Sequence, residues 1–177
     1  LDCGGTFEIS NSRIISTIIG LGTHKSVVIS GARIGGGILL NNCGFFGGFE
    51  LSNTSCSGAL LFRKCDVESR DNSLTSIDAN GSDFTGAVNL QFTKLLGSVN
   101  FKNARVNGDF DVDACRIYSG RKDAKIRQHL GDAININRAH IGGDIAIKRS
   151  RILGQTSLTR TICEGSITLL GTRHTAK

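Results

Sequence analysis

The chain has 177 residues, a formal net charge of +6, 23 glycines and six cysteines, and it lacks proline, methionine and tryptophan. With 39% apolar and only 20% charged residues it is too apolar for a disordered polymer, its glycines follow no collagen triplet, and its length suits one domain with a sizeable core. No apolar run approaches the roughly 20 residues of a membrane-spanning helix and no signal-peptide profile opens the chain, so a cytoplasmic protein, peripheral at a membrane if it meets one, is expected.

The chain opens with Leu1 and Cys3 at inward positions of a first coil, and, with no initiator Met, it is expected to be a piece of something longer. A self-similarity of 11 residues then takes over, with anchors at Gly36, Gly47 and Gly58. Two residues before each anchor stand Ile34, Phe45 and Cys56, and two after it Ile38, Phe49 and Leu60. Four after it come Leu40, Leu51 and Phe62, and seven after it the small Cys43, Thr54 and Cys65. Inward positions therefore recur with gaps of 2, 4, 2 and 3, which is strand alternation broken by corners and not the period of a helix.

The next step, to Thr75, is 17, so residues near 68–73 leave the coil as a loop, and Ser73 becomes the one polar residue in the column two before the anchor. The period resumes through Gly86, Gly97 and Gly108. The following step, to Asp132, is 24, and strict continuation would bury Arg121 and Asp123. Unpaired charge in a core is too costly, so a second excursion is expected near 118–131, with a short helix over 121–130 and Leu130 re-entering the inward column. The last anchors are Gly143, Gly154 and Gly165.

Two short strands and two turns per unit predict an all-β chain wound as one parallel β-helix domain over 1–177, with about 22 residues per coil and coils about 4.8 Å apart. Glycine at the anchor suits a corner needing positive φ or close backbone approach, and without proline every amide is free to pair with a neighbouring coil.

The phrases GARIGGGILL, ARVNGDFDVDA and AHIGGDIAIKRSRI resemble the G-A-x-I-x-G-D-L-x-L repeats of pentapeptide-like bacterial proteins, a group often labelled "membrane-associated oxidoreductase". The resemblance runs from about residue 25 to 173 and implies a right-handed winding and a bacterial origin, each unit being two pentapeptides with an extra residue at the glycine corner. It also implies a redox role, for which the sequence holds no nucleotide-binding or redox motif.

No catalytic residue, metal site or cofactor is expected. Cys43, Cys65 and Cys115 fall in the small column, Cys56 and Cys163 in an apolar one, and Cys3 in the same register of the first coil, so the thiols read as buried small groups. Cys43 and Cys65, 22 apart, are neighbours in adjacent coils, and a disulfide between them is the alternative. Gly35 to Gly37 and Gly142-Gly143 repeat with the coil and belong to no phosphate loop. His24, His129, His140 and His174 lack metal-ligand spacing, and Asp109, Asp111 and Asp113 lack the rest of a calcium loop. The absence of Trp and the single Tyr leave little for carbohydrate chemistry.

Charge is the strongest functional signal. Residues 1–90 carry 6 Lys/Arg against 8 Asp/Glu, whereas residues 91–177 carry 15 against 7. The function expected is a non-catalytic scaffold for macromolecular contact through the basic C-terminal half, with Arg138, Lys148, Arg149, Arg151 and Arg160 as the binding residues and an anionic surface or acidic protein as partner. Leu39 and Leu61, also 22 apart, form an apolar contact patch. End-to-end or lateral self-association is a further expectation, since open coil ends expose backbone. A positive net charge has the wrong sign for the DNA mimicry by which some pentapeptide-repeat proteins inhibit gyrase. A redox or polysaccharide-active enzyme and a purely architectural repeat are the alternatives.

Overall fold

The computed structural model describes residues 2–15, 25–69, 74–119 and 131–175. Every regular element among them is a strand of two to four residues, and the strands stack in parallel into four sheets that we call faces A to D. The second coil shows the plan: Arg33–Ile34 lies on face A, Ile38–Asn41 on face B, Gly44–Phe46 on face C and Phe49–Glu50 on face D. Seven such coils follow one another, the seventh described on three faces. The protein is a four-faced parallel β-helix, and right-handed winding is the hand that twisted parallel strands take.

The inward columns are continuous down the stack. Phe7, Ile38, Leu60, Val88, Phe110, Ile145 and Ile167 stand in register on face B, and Ile14, Phe45, Val67, Leu95, Ile117 and Ile152 on face C. Two phenylalanine clusters fill the interior, Phe45–Phe49–Phe62 at centroid separations of 5.4 and 5.3 Å, and Phe84–Phe101–Phe110 at 6.0 and 5.2 Å. Three of these contacts are edge-on and the Phe84–Phe101 pair is tilted, and at these distances they add to the burial of large rings. The small column has a second task beyond size. Cys43, Cys65, Thr93, Cys115, Ser150 and Thr172 each donate from the side chain to a carbonyl of the preceding coil, those of Ile9, Leu40, Phe62, Leu90, Val112 and Ile147.

The two kinds of corner that carry anchor glycines differ physically. At the corner between faces A and B a Cβ on Gly58 would lie 2.7 Å from the amide nitrogen of Gly37, so close backbone approach is the constraint. At the corner between C and D, Gly97 has φ +141° and a Cβ there would lie 2.7 Å from the carbonyl oxygen of Leu74.

Positive φ also marks a column that the sequence hides. The residue six after the anchor is left-handed at every B–C and D–A corner: Asn42, Asn53, Lys64, Gly81, Phe92, Asn103, Ala114, Arg138, Arg149, Arg160 and Gly171 have φ between 49° and 68°.

The structure extends the sequence reading at one point and amends it at two. First, the coil expected around Cys3 is present, its strands from Asp2–Cys3 onward pairing with the second coil. Second, the inward place assigned to Ser73 belongs to Val67, and that assigned to Leu130 belongs to Ile117, each aligned with its neighbours on face C. Both strands hold register before the chain departs, because a fully buried Val or Ile completes the column. Ser73, Leu130, Leu1 and the predicted helix over 121–130 lie outside the described residues. Third, a further insertion precedes those two. In-register residues on face A are 22 apart for Arg33–Ser55, Asp83–Arg105 and His140–Ile162, but 31 for Asp2–Arg33, 28 for Ser55–Asp83 and 35 for Arg105–His140. In the first, third and fifth coils the extra residues all fall between faces C and D, and the coils between are plain.

Candidate interaction surface

The five predicted basic residues occupy two opposite corners of the solenoid. Arg138 and Arg160 are exposed at the D–A corner, each with φ 58°. Diagonally across, Lys148 ends the face-B strand Ile145–Lys148, Arg149 forms the B–C corner, and Arg151 opens the face-C strand Arg151–Leu153. The structure therefore brings Lys148, Arg149 and Arg151 together and sets Arg138 and Arg160 apart from them. Arg149 is also engaged: its Nε donates to Asp113 Oδ1 at 2.8 Å and its Nη2 to Asp113 Oδ2. That forked pair holds the Asp113 carboxyl below its ordinary range. Neighbouring Asp111 moves the other way, pushed up by burial against the partial offset of Lys148, and its Oδ1 has no hydrogen-bond partner.

One cationic row escaped the sequence reading. On face C, Lys94, Arg116, Arg151 and Arg173 stand in register in the last four coils. Their strands also carry Leu96, Tyr118 and Leu153, half-buried, in the second outward column. At strand spacing the four cations are about 4.8 Å apart. None of them takes part in the ion pairs seen between described residues, such as Arg149–Asp113 and His140–Glu164. The signal was present, since Lys94 and Arg116, and likewise Arg151 and Arg173, stand eight residues after their anchors. The excursion between Arg116 and Arg151 breaks the 22-residue arithmetic that would have joined the two pairs. At the adjoining B–C corner Phe92 is 53% exposed at φ 52°, a conformation that bulky side chains rarely hold.

The remaining candidates settle elsewhere. Leu39 and Leu61 are direct register partners on face B, both half-buried, between Glu8 and Asn89. All six cysteines are free, and burial pushes the Cys65 thiol to about 11 and that of Cys115 to about 12. Among the described residues no group of three His, Cys, Asp or Glu could hold a metal, and no helix is long and apolar enough to cross a membrane. A shallow notch of about 50 Å³ on face C, lined by Phe46, Asp66, Val67, Glu68, Lys94 and Leu96, has room for no more than a few waters.

No family model matches the chain, and no curated protein matches it. Among solved structures, QnrB1, a plasmid-mediated fluoroquinolone resistance protein, is similar at 11% identity over 96% of this chain and 92% of that one, with a TM-score of 0.18. A likeness at that level carries no argument, and the solenoid stands on its own strand pairing. The label "membrane-associated oxidoreductase" finds no support in either the comparisons or the geometry.

Proposed function

We propose that this chain is a non-catalytic β-helical scaffold, of the pentapeptide-like kind and cytoplasmic, that engages an anionic macromolecular partner through its basic C-terminal half. The observation carrying this reading is the charge division: 15 Lys/Arg against 7 Asp/Glu in residues 91–177, on a frame whose inward positions are apolar or small. None of the described Lys, Arg, Asp or Glu residues is buried, so their charge lies at the surface and contributes a field along this half of the solenoid. Six free cysteines in a chain of this size fit a reducing compartment. The thiols favour the scaffold over a redox enzyme, since the most buried of them are held protonated and donate to backbone carbonyls.

The test is binding of the folded chain to three anionic probes in parallel: phosphatidylserine vesicles, an oligonucleotide and a polyglutamate peptide. At least one is expected to bind, more weakly as salt rises, and to lose affinity when Arg138, Lys148, Arg149, Arg151 and Arg160 are reversed to Glu. Salt-insensitive binding, or binding indifferent to the reversal, sinks the reading.

A further inference from the structure

We propose that the row Lys94, Arg116, Arg151 and Arg173 on face C, with Phe92 at the adjoining corner, is a track for single-stranded nucleic acid: phosphates lie along the cations and a base stacks on the Phe92 ring. The inference rests on the reading of the basic half as the binding side, and it names both a partner class and the residues that meet it.

Four observations lead there. The cations are aligned by strand register and not by chance surface proximity. Like charges directly opposite one another on a sheet oppose folding; Asp66 stands opposite Lys94 at the start of the row, but Arg116, Arg151 and Arg173 have only cations as register neighbours, so an external polyanion relieves a repulsion built into the row. Arg149, by contrast, is already satisfied by Asp113. Finally, Phe92 places an exposed aromatic face in a strained corner beside the row. Cations that follow a backbone together with an aromatic platform are the combination by which proteins hold single strands.

The shape of the row argues against the other polyanions. It is one line, spanning about 14 Å over four coils, and a duplex offers two backbones with its base faces already stacked. A flat anionic membrane pressed on face C would meet Asp66 and Glu68, which occupy the same two outward columns in the third coil. A narrow ligand running from the fourth coil to the seventh avoids both.

The experiment is fluorescence anisotropy of a labelled dT12 oligonucleotide with the folded chain across a salt series. Engagement of four phosphates predicts a log–log salt slope of about −2.8, falling in magnitude by about 1.4 in the double variant Lys94→Gln/Arg116→Gln. Phe92→Ala is expected to weaken binding roughly five- to a hundredfold with the slope unchanged, and Phe92→Tyr to restore it. All these side chains face outward, and Ala114 already holds alanine at the equivalent corner, so melting curves should show each variant folded. Lys102→Gln/Arg105→Gln, exposed cations of the same half on the side away from face C, should leave affinity unchanged. If that pair lowers affinity while the face-C variants do not, the track is wrong and the basic-half reading stands. Equal affinity for a blunt 12-mer duplex, or vesicle binding without oligonucleotide binding, also overturns the track alone. Failure to bind any of the probes removes both.

Discussion

Asp111 sits where the charge pattern and the packing disagree. On face B it lies between Asn89 and Ala146 in register, flanked in sequence by Asp109 and Asp113, with one carboxylate oxygen buried and unpartnered. Its folded-state pKa is raised, chiefly by burial, so ionisation opposes folding and the penalty is present above the carboxylate range. Asp111→Asn should therefore raise the melting temperature at pH 7, and the gain should shrink as pH falls below the raised pKa and vanish below the ordinary carboxylate pKa. A pH-independent gain, or a loss at pH 7, would show that the carboxylate is not the destabilising group. The same scale explains what the sequence withheld. The left-handed position is filled by Asn, Lys, Phe, Ala, Arg and Gly in different coils, and only the Asn and Gly members look like corner residues. The geometry is set by the winding, and long cationic side chains tolerate it at the surface, Arg138 and Arg160 exposed to solvent and Arg149 reaching back to Asp113.

At the scale of the element, the small column at the B–C corner works as a seam. Each coil is tied to the one before by a thiol or hydroxyl donated to a carbonyl, and the cysteines in it are part of that seam. With the Cys65 thiol at about 11 and Cys115 at about 12, little thiolate exists at pH 8. A thiol reagent at that pH should label the half-exposed Cys3 and Cys163 first and reach Cys65 and Cys115 only on unfolding. Rapid labelling of Cys65 or Cys115 in the folded chain would reopen the redox reading. The seam also shows why the fold was legible before the surface was. Inward residues answer to packing in every coil, so Ile34, Phe45, Cys56 and their equivalents repeat at fixed offsets. Insertions break that count: the inward Val67 and Ile117 stand just before one and were passed over for residues beyond it. Outward residues answer only to register with the coils above and below, and the row through Arg116 and Arg151 was missed because an insertion separates the two.

For the whole molecule, the alternation of looped and plain coils is the organising fact. The stems of the looped coils pack under the glycines of the plain ones: a Cβ at Gly97 would strike Leu74 and Ser76, and one at Gly154 would strike Ser119 and Ala133. In the looped coils the equivalent corner holds the buried Ser69 and Ser119 instead. Deleting residues 83–104 removes one plain coil without shifting any face register, yet it seats the third coil directly against the fifth, stem on stem. Deleting residues 83–139 removes a plain and a looped coil together and places Gly154 above Ser69. Although the longer deletion discards more core, it should melt cooperatively and at a higher temperature than the shorter one; the reverse order, in thermal melts followed by circular dichroism, would show that the alternation carries no packing requirement.

If the alternation does carry that requirement, the unit in which such a protein can be lengthened is not the 11-residue motif, nor even the 22-residue turn. A looped coil can be inserted only with a plain partner, so duplication of the coding segment would have to copy coils in pairs. Loops of unequal length could then be changed freely along a single edge, two coils apart, while the frame beneath them stayed the same.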